Sequence, residues 1–326
     1  MATRAIDVPD VRGLVPLLAF GGVLAVGLMA PLSAGLLDAP TIAGAREAVL
    51  GVGRGEILPL LSESRGLALI AGIVLVQPLA ILGILLLIEL KTGPREREAK
   101  NRRLTWLVQL SFLTFASILD YASAKLGLLP TEPLLRFRAA DSAAGILLQI
   151  LPMFLLTLLL TDFFRYWFHR AQHRFAFLWR FHAVHHSSRD LDVLHNFSHP
   201  VEVFGNLFLI AVPTAFLIGV ESGQLYVVAA FFAVQGHLHH MNVPVHYGPL
   251  RHLVCDNRYH FVHHSRIRAE SDSNYAGMFP LFDHLFGTYH APAPGPLPAT
   301  GLAEGQPTRL SHFLLARWPA EEGAGR

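Results

Sequence analysis

The chain has 326 residues, of which 52% are hydrophobic and only 15% charged. An average soluble domain carries about a quarter charged residues, so this composition, with a mean hydropathy of +0.41, excludes an ordinary soluble domain and indicates a membrane protein. The net charge of +2 comes without a basic stripe interleaved with stacking aromatics, which argues against nucleic-acid binding, and the one cysteine, Cys255, makes neither an internal disulfide nor a thiolate zinc cage.

In chain order, Gly13 to Leu37 holds no charged residue. That run is longer than the apolar core of about 7 to 15 residues in a secretory signal, so it reads as a membrane helix. Asp38 to Arg65 is a connection. Gly66 to Ile88 is uncharged and bracketed by Arg65 and Glu89, which suits a bilayer core needing about 20 residues, with a kink expected at Pro78. Leu104 to Leu119 forms a third expected span. Ser142 to Thr161 forms a fourth, whose helix continues toward the first histidine cluster. Val203 to Val220 and Ser222 to Gly236 are two further apolar runs meeting at Glu221, a full hairpin or a shallow one; Pro213 weakens the first as a straight span. The tail from Ala291 is a Pro/Gly-rich linker followed by LSHFLLARW. The organisation expected is 1–141 as N-terminal spans and loops, 142–290 as the catalytic unit and 291–326 as the tail. The densest basic loop, Lys91 to Arg103, is placed in the cytoplasm by the positive-inside rule. Counting spans from it places the histidine clusters on the cytoplasmic side, in agreement with Arg165, Arg170, Arg174, Arg180 and Arg189 around the first of them.

The 18 histidines are concentrated rather than scattered. His169 and His173 are four apart. His182, His185 and His186 form H-x-x-H-H, and so do His260, His263 and His264. On a helix, residues three or four apart share a face, so each box can offer its imidazoles to one small volume. A zinc ion takes about four ligands; eight box histidines are a surplus for one ion and suit two. No carboxylate lies inside the boxes and no H-E-x-x-H is present, so the usual zinc-protease arrangement is missing. All-imidazole ligation on a membrane scaffold suggests oxygen activation by iron.

These residues resemble the fatty acid hydroxylase / sterol desaturase superfamily. DFFRYWFHRAQH resembles the family's first box, with Asp162, Tyr166 and Trp167 in place. HAVHHSS and HPVE follow with His199, Pro200 and Glu202. HMN selects His240 and Asn242, and HHS, SNYAG and DHLFGTYH come in family order with Asn274, Tyr275, Asp283, Gly287 and Thr288. The resemblance spans Ser142 to His290. Two departures, Cys255-Asp256-Asn257 in place of a threonine-proline turn and Phe282 in place of a tryptophan, remove no ligand.

The resemblance implies an all-α integral membrane protein, a multi-span bundle with a cytosolic His-rich cap. It implies a di-iron oxygenase that hydroxylates or desaturates a C–H bond of a lipid, such as a sterol or fatty acyl chain, using O2 and two electrons. The implied metal ligands are His169, His173, His182, His185, His186, His199, His240, His260, His263 and His264. The substrate comes from the bilayer, and electrons come from a separate reductase, ferredoxin or cytochrome. Asp162 and Glu202 are candidates for orienting ligand imidazoles. The rival reading is a His-rich membrane metal transporter or metal-binding protein, but transporters place ionisable groups within their spans, whereas these boxes flank them.

Overall fold

The structure is a computed structural model, and it describes residues 77–92, parts of 104–135, and 143–218, 222–243, 245–307 and 309–317. Among the described residues the architecture is helical and no named strand forms; one isolated bridge joins Ser265 to Thr300. The expected span Gly13–Leu37 and the first half of Gly66–Ile88 lie outside the described residues.

Helix α1 spans Gln77–Thr92 and α2 spans Ala143–Arg174. The sequence placed a span at Ser142–Thr161 running on toward the first histidine cluster, and α2 does so without a break, carrying Pro152 inside it. α3 spans Ala176–His186. A 3-10 turn at Val193–His195 leads to α4, Pro200–Asn206. α4 passes through a π-turn at Leu207–Ala211 into α5, Val212–Ile218. Proline at 213 has no N–H to give and crowds the carbonyl one turn back; the wider π-turn just before it accommodates that defect and the helix continues. α6 spans Ser222–His240, α7 spans Asn257–His263 and α8 spans Arg268–Ser271. α9 spans Leu281–Phe286 and α10 spans Leu310–Leu314. Among the described residues one helix, Pro200–Ile218, is long and apolar enough to cross a membrane.

Packing is organised around the region where α2, α3, α6 and α7 meet. Leu82 and Leu85 of α1 pack on Val193 and Leu194 and on Val234 and Leu238 of α6. Leu158 of α2 packs on Val228 and Phe232 of α6. Tyr166 of α2 packs on Cys255, Tyr259, Tyr275 and Phe282, fixing the α7–α9 segment to the end of α2. Burying a side chain of Phe or Leu size stabilises by about 1.5–3 kcal/mol, so these clusters hold the helix ends in register. The helices also leave large apolar side chains outward, among them Leu87, Leu110, Phe208 and Leu209, each at least half exposed.

Candidate metal centre

Four helices deliver nine histidines to one interior region. His169, His173, His182, His186 and His263 form one group, and His185, His240, His260 and His264 a second; within each group the ligand atoms lie within 4.8 Å of one another. The two groups adjoin, with the rings of His186 and His264 stacked at 4.3 Å.

The two H-x-x-H-H boxes are shared reciprocally. Successive residues of an α-helix are about 100° apart. Positions i and i+4 therefore stay within about 40° of each other, while i+3 falls on the other side of i. α3 gives His182 and His186 to the first group and His185 to the second. α7, with His264 at its C-cap, gives His260 and His264 to the second group and His263 to the first. The sequence reading that let each box serve one small volume is thus refined: each H-x-x-H-H box serves two, while His169 and His173 serve one. His169 and His173 of α2 complete the first group, and His240 at the end of α6 completes the second.

The hydrogen bonds fix how these rings present themselves. The Nδ1 of His169 donates to the Tyr275 carbonyl at 2.7 Å, that of His263 to the Ser273 carbonyl at 2.7 Å, and that of His240 to the Gly236 carbonyl at 2.6 Å. The Nδ1 of His182 donates to Glu202 Oε1 at 2.7 Å, and that of His173 to Asp272 Oδ1 at 3.2 Å. Carbonyls and carboxylates only accept, so each neutral ring carries its proton on Nδ1 and turns a bare Nε2 inward. Those Nε2 atoms then face one another: His169 and His182 at 3.0 Å, His173 and His186 at 3.2 Å, His240 and His185 at 3.2 Å, His240 and His260 at 3.1 Å. In the first pair both protons are committed outward, so two lone pairs meet. The Nε2 of His263 is buried with no hydrogen-bond partner.

A bound cation reconciles this geometry. Nitrogens at about 2.1 Å from one ion stand about 3.0 Å apart at right angles and about 3.4 Å apart in a tetrahedron. The observed spacings fall in that interval, so the donor set fits a metal. Burial, with the neighbouring imidazoles adding to it, holds His169, His173, His185, His186, His240, His260, His263 and His264 well below the ordinary histidine range. They are neutral at neutral pH, the form that ligates. Outer support is uneven: Nδ1 of His185, His260 and His264 is buried without a partner, all three in the second group.

His199 does not fit the ligand role expected of it. It caps α4: its Nδ1 accepts from Val201 N–H at 3.2 Å and its Nε2 donates to the Leu314 carbonyl at 2.9 Å, so neither nitrogen is free. The other polar residues of that motif split. Glu202 orients the His182 ring, with Oε1 taking His182 and Gln172 and Oε2 taking the His199 N–H at 2.6 Å. Asp162 does not; it accepts the backbone N–H groups of Gly277, Met278 and Phe279 at 2.7–3.1 Å, which pins the loop after Tyr275 to α2. Asn274 sits at φ 56 and bonds the Tyr259 carbonyl and both backbone groups of His290. Asp283 takes Tyr275 N–H at 2.8 Å, Ala276 N–H at 2.9 Å, Thr288 at 2.7 Å and the Tyr259 hydroxyl. These residues set the loop whose carbonyls aim His169 and His263. Sequence reasoning missed Asp272, Gln172 and the carbonyls of Tyr275, Ser273 and Gly236, because a backbone acceptor leaves no mark on residue type.

A cavity of about 100 Å³ opens beside the groups, lined by His169, His182, His185, His240 and His260 among others. Phe168 of the aromatic run lines it, while Trp167 points outward at 42% exposure.

Residues 154–288 match the profile of the fatty acid hydroxylase family. That stretch of the chain is similar to the fatty acid hydroxylase family, and all nine converging histidines lie within it. Over 138 residues it is 35% identical to the ornithine lipid hydroxylase OlsE of Rhizobium tropici, covering 42% of this chain and 41% of that protein. It is 33% identical over 138 residues to the alkylglycerol monooxygenase of Homo sapiens, covering 40% and 29%. It is 29% identical over 140 residues to the very-long-chain aldehyde decarbonylase CER1 of Arabidopsis thaliana, covering 39% and 21%. The matches thus span less than half the length of these curated relatives. No solved structure matches the chain.

Proposed function

We propose that the protein is a membrane-bound lipid oxygenase that hydroxylates, or desaturates, a C–H bond of a lipid with O2 and two electrons. The observation that carries this reading is the pair of adjoining all-histidine groups, Nε2 lone pairs inward, opening on a shared cavity within the stretch similar to the fatty acid hydroxylase family. The first group would hold one iron and the second another, and bound iron supplies the activation of O2. The chain's own residues do the rest. Glu202, Asp272 and the three backbone carbonyls aim the imidazoles by taking their Nδ1 protons, and Phe168, Phe197 and Phe232 supply apolar surface to the cavity.

The outward apolar side chains and the apolar helix Pro200–Ile218 support membrane residence. The multi-span bundle, the unit 142–290, the cytoplasmic placement of the groups and a separate electron donor are parts of the same proposal. The relatives act on lipids by their names, as an ornithine lipid hydroxylase and an alkylglycerol monooxygenase, and that agrees with a lipid drawn from the bilayer. The test is a comparison, by mass spectrometry, of lipids from cells with and without the gene. A lipid gaining one oxygen or losing two hydrogens only when the gene is present is expected; identical lipid profiles with the protein expressed and inserted would refute the oxygenase.

Glu202→Gln addresses the support of the first group. Glutamine keeps the shape but cannot accept all the donors that converge there. Loss of such a partner lowers metal affinity by roughly 10 to 100-fold, which competition against a graded series of chelators measures. An unchanged affinity would show that His182 needs no carboxylate to hold its orientation.

A further inference from the structure

Arg165 belongs to neither histidine group, yet it lines the same cavity. It stands one turn before His169 on α2, between Phe164 and Tyr166. Its Nε is buried with no hydrogen-bond partner. Its guanidinium lies over the Phe232 ring at 4.7 Å, which leaves the N–H edge of the fork unspent. The nearest carboxylate, Asp162, is committed to three backbone N–H groups and forms no ion pair within 4.0 Å. Burial works against its charge, and that charge is close enough to His169 to oppose a second one there.

Arg165 stands beside a site for metal cations with Asp162 as its nearest opposite charge, and a ligand anion between the guanidinium and that site would offset the remaining repulsion. Glu202, the carboxylate that lines the cavity, has both oxygens turned to hydrogen-bond donors other than Arg165. Ser198 and Asn206 line the same cavity, and neither side chain makes a hydrogen bond among the described residues. The side chain is also held in place, since a Cβ added at Gly277 would lie 2.6 Å from Arg165 Cδ.

We infer that Arg165, with Ser198 and Asn206, forms an oxyanion subsite, so the cavity takes a lipid by a carboxylate or phosphate oxygen. This rests on the oxygenase reading and narrows its substrate. Arg165 lines the same cavity as His169, His182, His185, His240 and His260, so an anion held at Arg165 lies beside the histidine groups. The C–H bond brought to the histidine groups is therefore one within a few bonds of that anion, and the apolar remainder stays toward the bilayer.

The experiment uses the full chain in detergent, loaded with zinc, which imidazole sites bind well and which supports no oxidation. Calorimetry compares decanoate, decyl phosphate and decanol. Both anions should bind about ten- to a hundredfold more tightly than the alcohol, the range of a charge-assisted hydrogen bond. The order of the two anions distinguishes carboxylate from phosphate as the natural group. R165Q should remove the preference and R165K keep part of it. G277A, which displaces the side chain without removing it, should weaken the preference at unchanged zinc content. Equal binding of alcohol and anions by the wild type overturns the subsite. So does an anion preference that survives R165Q, which would put the anion on the metal. If lipids are not oxidised but the R165Q difference is found, the oxygenase reading fails and the subsite stands; if oxidation is found without that difference, only the subsite fails.

Discussion

His263→Ala and His264→Ala should each abolish turnover, with rates falling by more than about 100-fold, and each should leave close to half the iron of the wild type. The two residues are adjacent on one helix but serve different groups, His263 the first and His264 the second. Loss of a partner that merely orients a ligand ring already lowers affinity or activity by roughly 10 to 100-fold, so removing the ligand itself has the larger effect. Iron analysis and single-turnover rates on the same preparations check both halves. Cys255→Ala is the control: the thiol is buried in the aromatic cluster, and its loss changes packing rather than the groups. Near wild-type turnover by a folded His263→Ala protein would sink the two-metal reading.

Acidification should unfold the metal-free chain over a narrow range. Eight histidines have folded values well below the ordinary 6.5, through burial and mutual repulsion. The unfolded chain binds protons near 6.5 and the folded chain does not. Stability is therefore complete above pH 6.5 and is lost as pH falls from there toward the folded values. Each such group contributes about 1.4 kcal/mol per pH unit below its unfolded value, so even two or three consume a large share of a typical stability of about 5–15 kcal/mol. The apparent unfolding temperature of the metal-free protein should drop steeply between about pH 6.5 and 5. A flat profile over that interval would mean that the imidazoles are solvated or already charged.

The converging histidines were legible because spacing on a helix is a property of sequence. H-x-x-H-H places three rings near one side, and the two boxes with His169, His173 and His240 account for all nine residues that converge. Which ring goes to which group was not legible, since that depends on how α3 and α7 are rotated against each other, and tertiary packing sets the rotation. His199 misled because the HPVE motif that carries it does place Glu202 on His182; within the motif the histidine serves the helix end and the carboxylate serves the histidine cluster. Arg165 was hidden in an aromatic stretch and counted only toward orientation in the membrane. The helical character and the continuation of α2 into the first box followed from apolar runs longer than any strand requires, whereas the passage through Pro213 needed a π-turn that residue types do not announce.

On the two-metal reading we propose, the reciprocal use of the two boxes would make metal uptake a linked process. A first ion held by both α3 and α7 would fix the rotation of each helix about its own axis. That same rotation would aim His185 from one helix and His260 and His264 from the other at the second position. The entropy of ordering the helices would be lost once, so a second ion would meet a preformed set of donors and bind more tightly than it would alone.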